Sequence, residues 1–233
     1  MTDRTSKQSP DITSREDAVE PLARQFGEEI LLDYVTGTLD DATRLMVAAQ
    51  MALRPEISET LAVAGDLAGL MLEEAEPVPM GEGAFADVMA AIDALPETAP
   101  SAPAPDAELD VLPAVIRERV AAHGGKWSFV TPGVRAMDLG FEAGEGEVKL
   151  YRIDPGYGVP THTHKGQEMT LVLTGAFGDG RDRYGPGDIC VASPEITHKP
   201  IAEKGATCYA LAITDAPLQL TGALGLVQRV LGS

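Results

Sequence analysis

Three of the chain's four histidines, together with one glutamate, occupy positions from which they can meet. The stretch "GYGVPTHTHKGQEMTLVLTG" places His162 and His164 one residue apart and Glu168 shortly after, and His198 follows in "PEITHKP". Side chains along a strand alternate between its faces, so His162 and His164 project into one volume while Thr161 and Thr163 face the other way. Gly166 lets "KGQ" turn the chain, and Glu168 then opens the next apolar run. Three imidazoles and a carboxylate aimed at one point form a ligand set for a first-row transition metal. Histidines in ordinary hydrogen bonds are the plainer alternative, and we read His123 in "AAHGGK" that way. For His162, His164 and His198 that reading is weak, because two imidazoles on one strand face cost desolvation and mutual repulsion unless something stabilises them as neutral ligands. Zinc would be closed by these four ligands at about 2.0–2.2 Å, whereas iron or manganese would keep open positions for water, oxygen or substrate.

No second constellation suggests catalysis. Asp179, Asp182 and Arg183 in "FGDGRDRYGPGD" read as a charged turn between strands, with Tyr184 packing across a barrel. Cys190 and Cys208 are the only cysteines and form no CxxC pair, which excludes a disulfide scaffold. They read as core thiols, the alternative being an oxidant-sensing pair that would need thiolate character and exposure.

Two kinds of texture surround these residues. "ILLDYVTG" carries a short stripe, Ile30, Leu31 and Tyr34, ended by Gly37. Asp40 or Asp41 caps a second helix, in which Leu45, Met46, Ala49 and Leu53 recur at helical spacing. Pro55 suits the first turn of a third helix, where its missing N–H is not needed. Leu61, Ala64, Leu67, Leu70 and Met71 are its expected buried face. "GAFADVMAAIDAL" is a fourth helix with Phe85, Val88, Met89 and Ile92 on one side. "PETAPSAPAPDAE" breaks every period and favours extended backbone. Beyond it, short β-like runs such as "EVKLYRI", "EMTLVLTG" and "ATCYALAITD" alternate with Gly, Pro and Asp turns, the pattern of a jelly-roll barrel.

The expected fold class is therefore α+β in two domains: an all-α helical bundle, a linker, and an all-β barrel. The boundaries read as a disordered arm over 1–20, a helical domain over 21–96, a Pro/Ala linker over 97–108, a metal-binding barrel over 109–220, and a tail over 221–233. The 233 residues carry 36 acidic against 18 basic side chains, a net charge of −18. That balance opposes a phosphate backbone and excludes direct nucleic-acid binding, while a basic protein partner is compatible with it. No apolar run reaches the length of a membrane span, and "MTDRTSKQSPDITSRED" lacks the apolar core of a signal peptide, so the expected location is cytoplasmic.

The spacing Gly156, five residues, His162-x-His164, three residues, Glu168, six residues, Gly175 resembles the first cupin motif throughout. The second motif matches at Gly187 and His198, but Pro194 is displaced by one place, no glycine precedes the histidine, and Ala202 stands where asparagine is common. With the helical stretches "ILLDYVTGTLDDATRLMVAAQMALRP" and "LMLEEAEPVPMGEGAFADVMAAID" and the later "TDAPL", the chain is similar to the ChrR family over most of residues 25 to 220. That resemblance implies a cytoplasmic anti-sigma factor. Its helical domain would hold an extracytoplasmic-function sigma factor, and its cupin would be needed for release under oxidative stress.

The family also binds zinc in the helical domain, through an upstream histidine and a His-x3-Cys-x2-Cys helix. Here the corresponding residues are Gln25, Gln50, Arg54 and Ile57, which form no zinc set, since arginine is a permanent cation and isoleucine has no lone pair. We therefore expect one divalent ion, zinc, in the cupin domain, and none in the N-terminal domain, with Ile57 filling the old metal position. Leu31, Leu32, Val47 and Leu53 are apolar positions equally suited to core or to a docking groove. The competing reading is a metal-dependent, dioxygenase-like cupin enzyme whose helical domain supports a homodimer.

Overall fold

The structure is a computed structural model that describes residues 25–95, 107–141, 146–215 and 218–220. The expected arm and tail, and nearly all of the expected linker, lie outside the described residues. Helix α1 (Glu28–Thr36) ends where Gly37 takes up a left-handed φ of 72°, a conformation that costs glycine no Cβ clash. Asp40 caps α2 (Asp41–Leu53), its carboxylate accepting the Thr43 N–H at 2.8 Å. Pro55 opens α3 (Pro55–Glu73) at the first helical position. The fourth helix is α4 (Ala84–Asp93).

Burial departs from the expected four-helix bundle. In α3 only Ile57 and Leu61 are buried, and Leu67, Leu70 and Met71 are exposed. No residue of α4 is buried, so Phe85, Val88, Met89 and Ile92 face outward. Helical periodicity identifies an apolar face but not what covers it, and here nothing among the described residues does. Of the four ambiguous positions, Leu31 and Val47 are core, Leu53 is half-buried and Leu32 is exposed. A fifth helix, α5 (Ala114–His123), escaped the sequence reading although Pro113 precedes it and a left-handed Gly124 ends it. Its buried pair, Ile116 and Val120, sits at i, i+4, too short a signal beside four charged or polar neighbours.

The barrel strands are β1 (Ser128–Thr131), β2 (Val134–Asp138), β3 (Glu147–Ile153), β4 (His162–His164), β5 (Glu168–Thr174), β6 (Phe177–Gly178), β7 (Arg183–Tyr184), β8 (Ile189–Ala192), β9 (Ile201–Ala202), β10 (Cys208–Thr214) and β11 (Leu218–Leu220). They form an antiparallel six-stranded sheet in the order β1-β2-β3-β10-β5-β8, a three-stranded sheet β7-β6-β9, and the pair β11-β4. Every residue of β10 is buried, because both faces of its sheet are covered. Tyr209, Leu211 and Ile213 point outward into a core shared with Met46, Val47 and Ala49 of α2 and Ile116 of α5. The alternate residues point inward: Cys208 joins Val172, Phe177 and Tyr184 in the barrel core, while Ala210 and Ala212 line the cavity that holds the histidines. The sheet is thus a wall between a helix-covered core and the barrel interior.

Candidate metal centre

Strand geometry brings the four sequence-selected groups together. In β4 the burial alternates, with His162 and His164 buried and Thr163 half-buried, its hydroxyl donating to the Pro194 carbonyl at 2.9 Å. His198 faces this strand directly, and the backbone N–H of each of His162 and His198 donates to the other's carbonyl at 3.1 Å. Glu168 is delivered by the first residue of β5, inward-facing like Thr170 and Val172.

The candidate ligand atoms converge closely. His198 Nε2 lies 2.9 Å from His162 Nε2 and 3.2 Å from His164 Nε2. Glu168 Oε2 stands 3.3 Å from His164 Nε2 and 3.5 Å from His198 Nε2. One ligand atom from each of the four lies within 4.8 Å of every other, and all four residues are buried. The Nδ1 of His162 is 2.7 Å from the Pro160 carbonyl, which assigns the proton to that nitrogen and leaves the Nε2 lone pair facing the cluster. Burial holds the His162 imidazole below its ordinary pKa, and burial together with the neighbouring His162 lowers His198 to about 4. Both rings are therefore neutral near pH 7. With its Nε2 lone pair facing His198 Nε2 at 2.9 Å, the His162 ring is stabilised there either by a proton on His198 Nε2 or by a cation between the rings. The donor set fits a divalent metal: three imidazole nitrogens and one carboxylate, all preoriented.

The wall around the cluster differs from its sequence reading at one point. Asp179 is not a solvated turn residue; its side chain is fully buried, with Oδ2 3.9 Å from His198 Nδ1. Its carboxylate accepts from Arg181 Nε at 2.9 Å and Nη2 at 2.6 Å and from the backbone N–H groups of Arg181 and Asp182, which hold its pKa down against the effect of burial. A "GDGRD" turn reads as surface because nothing local reveals that the barrel closes over it. Asp182 and Arg183 do stay on the outside, Arg183 pairing with Glu203 at 2.7 Å. Tyr184 stacks on Phe177 with ring centroids 5.1 Å apart. Cys190 and Cys208 are both buried, and burial raises their thiols to about 11 and about 12. Neither is a thiolate at neutral pH. The free volume adjoining the cluster is about 30 Å³, room for a water or two.

Residues 117–216 match the family model described as the ChrR cupin-like domain. The chain is 38% identical over 206 residues to the anti-sigma-E factor ChrR of Cereibacter sphaeroides, a match covering 87% of this chain and 94% of that protein. It also superposes on the crystal structure of Rhodobacter sphaeroides SigE in complex with the anti-sigma ChrR. The TM-score is 0.64 at 36% identity, covering 82% of this chain and 98% of the other.

Proposed function

The chain belongs to the ChrR family of anti-sigma factors, and from that premise we propose that it sequesters an extracytoplasmic-function sigma factor through its helices. The observation that carries this is the uncovered apolar face on each of α3 and α4. Leu67, Leu70, Met71, Phe85, Val88 and Ile92 all lie open, Phe85 with 75% of its surface exposed. An exposed apolar face on a helix is what a helix-binding partner covers. The relative of known structure is named as a complex with its sigma factor, which supports the same assignment here.

His162, His164, Glu168 and His198 are the groups we assign as the ligands of one divalent ion, zinc. Bound there, zinc would tie β4, β5 and the His198 loop together and hold the barrel closed, as a fully liganded ion with no open position does. The small free volume beside the cluster favours this regulatory role over turnover of an organic substrate. The described residues contain no helix long and apolar enough to cross a membrane, and the proposed site of action is the cytoplasm.

Co-expression with an extracytoplasmic-function sigma factor from the same genome tests the assignment. The parent chain should co-purify with it in equimolar amount. The double substitution Phe85→Glu/Ile92→Glu should abolish capture while leaving the thermal midpoint of the free protein unchanged, because both side chains are already in water. Undiminished capture would remove this face from the interface, and no capture by the parent would overturn the function.

A further inference from the structure

Of Gln25, Gln50, Arg54 and Ile57, the positions where the family resemblance implies metal ligands, two point at the barrel. Gln50, on α2, is completely buried, and its Nε2 donates to the Gly187 carbonyl at 2.8 Å. Its Oε1 faces the Phe26 N–H at 3.5 Å. Arg54, at the junction of α2 and α3, forms an ion pair through Nη2 with Asp188, whose side chain is only 8% exposed. The arginine lies flat on the turn. A Cβ on Gly187 would stand 2.7 Å from Arg54 Nε, and the φ of 82° there also demands glycine. The other two positions take no part: Gln25 is exposed and Ile57 is packed in the core.

The turn that receives Gln50 and Arg54 is stitched to a ligand-bearing strand. The Gly187 N–H donates to the Val172 carbonyl at 2.8 Å, the Val172 N–H donates to the Asp188 carbonyl at 3.0 Å, and Asp188 Oδ2 accepts the Gly185 N–H at 2.8 Å. Val172 belongs to β5, which begins at Glu168, and Glu168 pairs in register with Ala192 of β8, the strand that leaves the turn. We propose that Gln50 and Arg54 form a metal-free clasp joining the helices to the barrel at the Gly185–Asp188 turn, and that occupancy of the histidine cluster is transmitted to α2 through β5 and β8. The second half of this proposal rests on the assignment of His162, His164, Glu168 and His198 as metal ligands. A carbonyl and a carboxylate presented by one tight turn match an amide donor and a guanidinium one helical turn apart.

Hydrogen exchange on the full-length, zinc-loaded chain without any partner tests the clasp. Arg54→Ala and Gln50→Met should each speed exchange roughly tenfold in both α2 and the 185–188 turn, with the centre of β10 unchanged. Arg54→Lys, which keeps the charge, should retain part of the protection. Exchange in α2 and the turn that matches the parent in both variants would overturn the clasp. Stripping zinc with dipicolinate should speed exchange at the turn and in α2 of the parent, and add little in Arg54→Ala. Metal removal that leaves α2 untouched while deprotecting β4 would overturn the coupling. Failure of the stripped and loaded chains to differ in metal content would instead overturn the ligand assignment. No sample contains a sigma factor, so these outcomes are independent of whether one is captured.

Discussion

At the scale of single residues, the histidine cluster predicts both metal content and acid sensitivity. His162→Ala/His164→Ala removes half the ligand set and should lower bound zinc, measured by elemental analysis, from one ion per chain to none. A retained equivalent would place metal elsewhere, the helical domain included. In the metal-free protein His198 titrates near 4, against an ordinary value of 6.5, because burial disfavours the charged ring. The unfolded chain therefore binds more protons than the folded one below about pH 6.5, and stability contributed by the neutral ring is lost as pH falls from about 6.5 toward 4. Urea midpoints of the metal-free parent should drop across that window, and drop less in His198→Gln. Equal pH dependence in the two proteins would show that this ring is not held neutral by the fold. Asp179 belongs to the same scale: it was legible as an acid in a turn, and only the closed barrel places it 3.9 Å behind His198.

At the scale of elements, local signals were sound where one residue or one turn decides the outcome. Gly37 stops α1, Asp40 caps α2 and Pro55 starts α3 as their chemistry dictates. Asp40→Ala should cost about 1 kcal/mol in urea unfolding, the usual worth of a capping oxygen. An unchanged midpoint would mean that the Thr43 N–H finds water as good a partner. Leu211 is harsher, because it is completely buried and faces the helix-covered core. Leu211→Ala should cost about 2–5 kcal/mol, since a cavity there cannot fill with solvent. The α3 and α4 faces depart from their expected burial for a physical reason. An apolar stripe looks the same whether it packs against its own chain or stays open, and Leu67 and Phe85 are covered by nothing among the described residues. Helix α5 leaves almost no period in the sequence, because only two of its ten residues are buried.

At the scale of the whole molecule, the helices and the barrel share one apolar core, in which Met46 and Val47 of α2 meet Leu171 of β5 and Leu211 of β10. Trp127, the sole tryptophan, packs against that same core. Thermal unfolding followed by helical circular dichroism and by Trp127 fluorescence should therefore give a coincident main transition, with any early helical loss confined to the exposed α4. Two well-separated transitions of comparable size would show that the shared core does not couple the parts. The order of helices before strands, the caps, and the identity of the four clustered groups were written in the sequence, because periodicity, capping and strand alternation act over a few residues. Which apolar faces stay open, that Asp179 is buried, and that Gln50 and Arg54 reach across to Gly187 and Asp188 were decided only by tertiary structure. Those contacts join residues more than a hundred positions apart, and no local spacing records where two distant surfaces will meet.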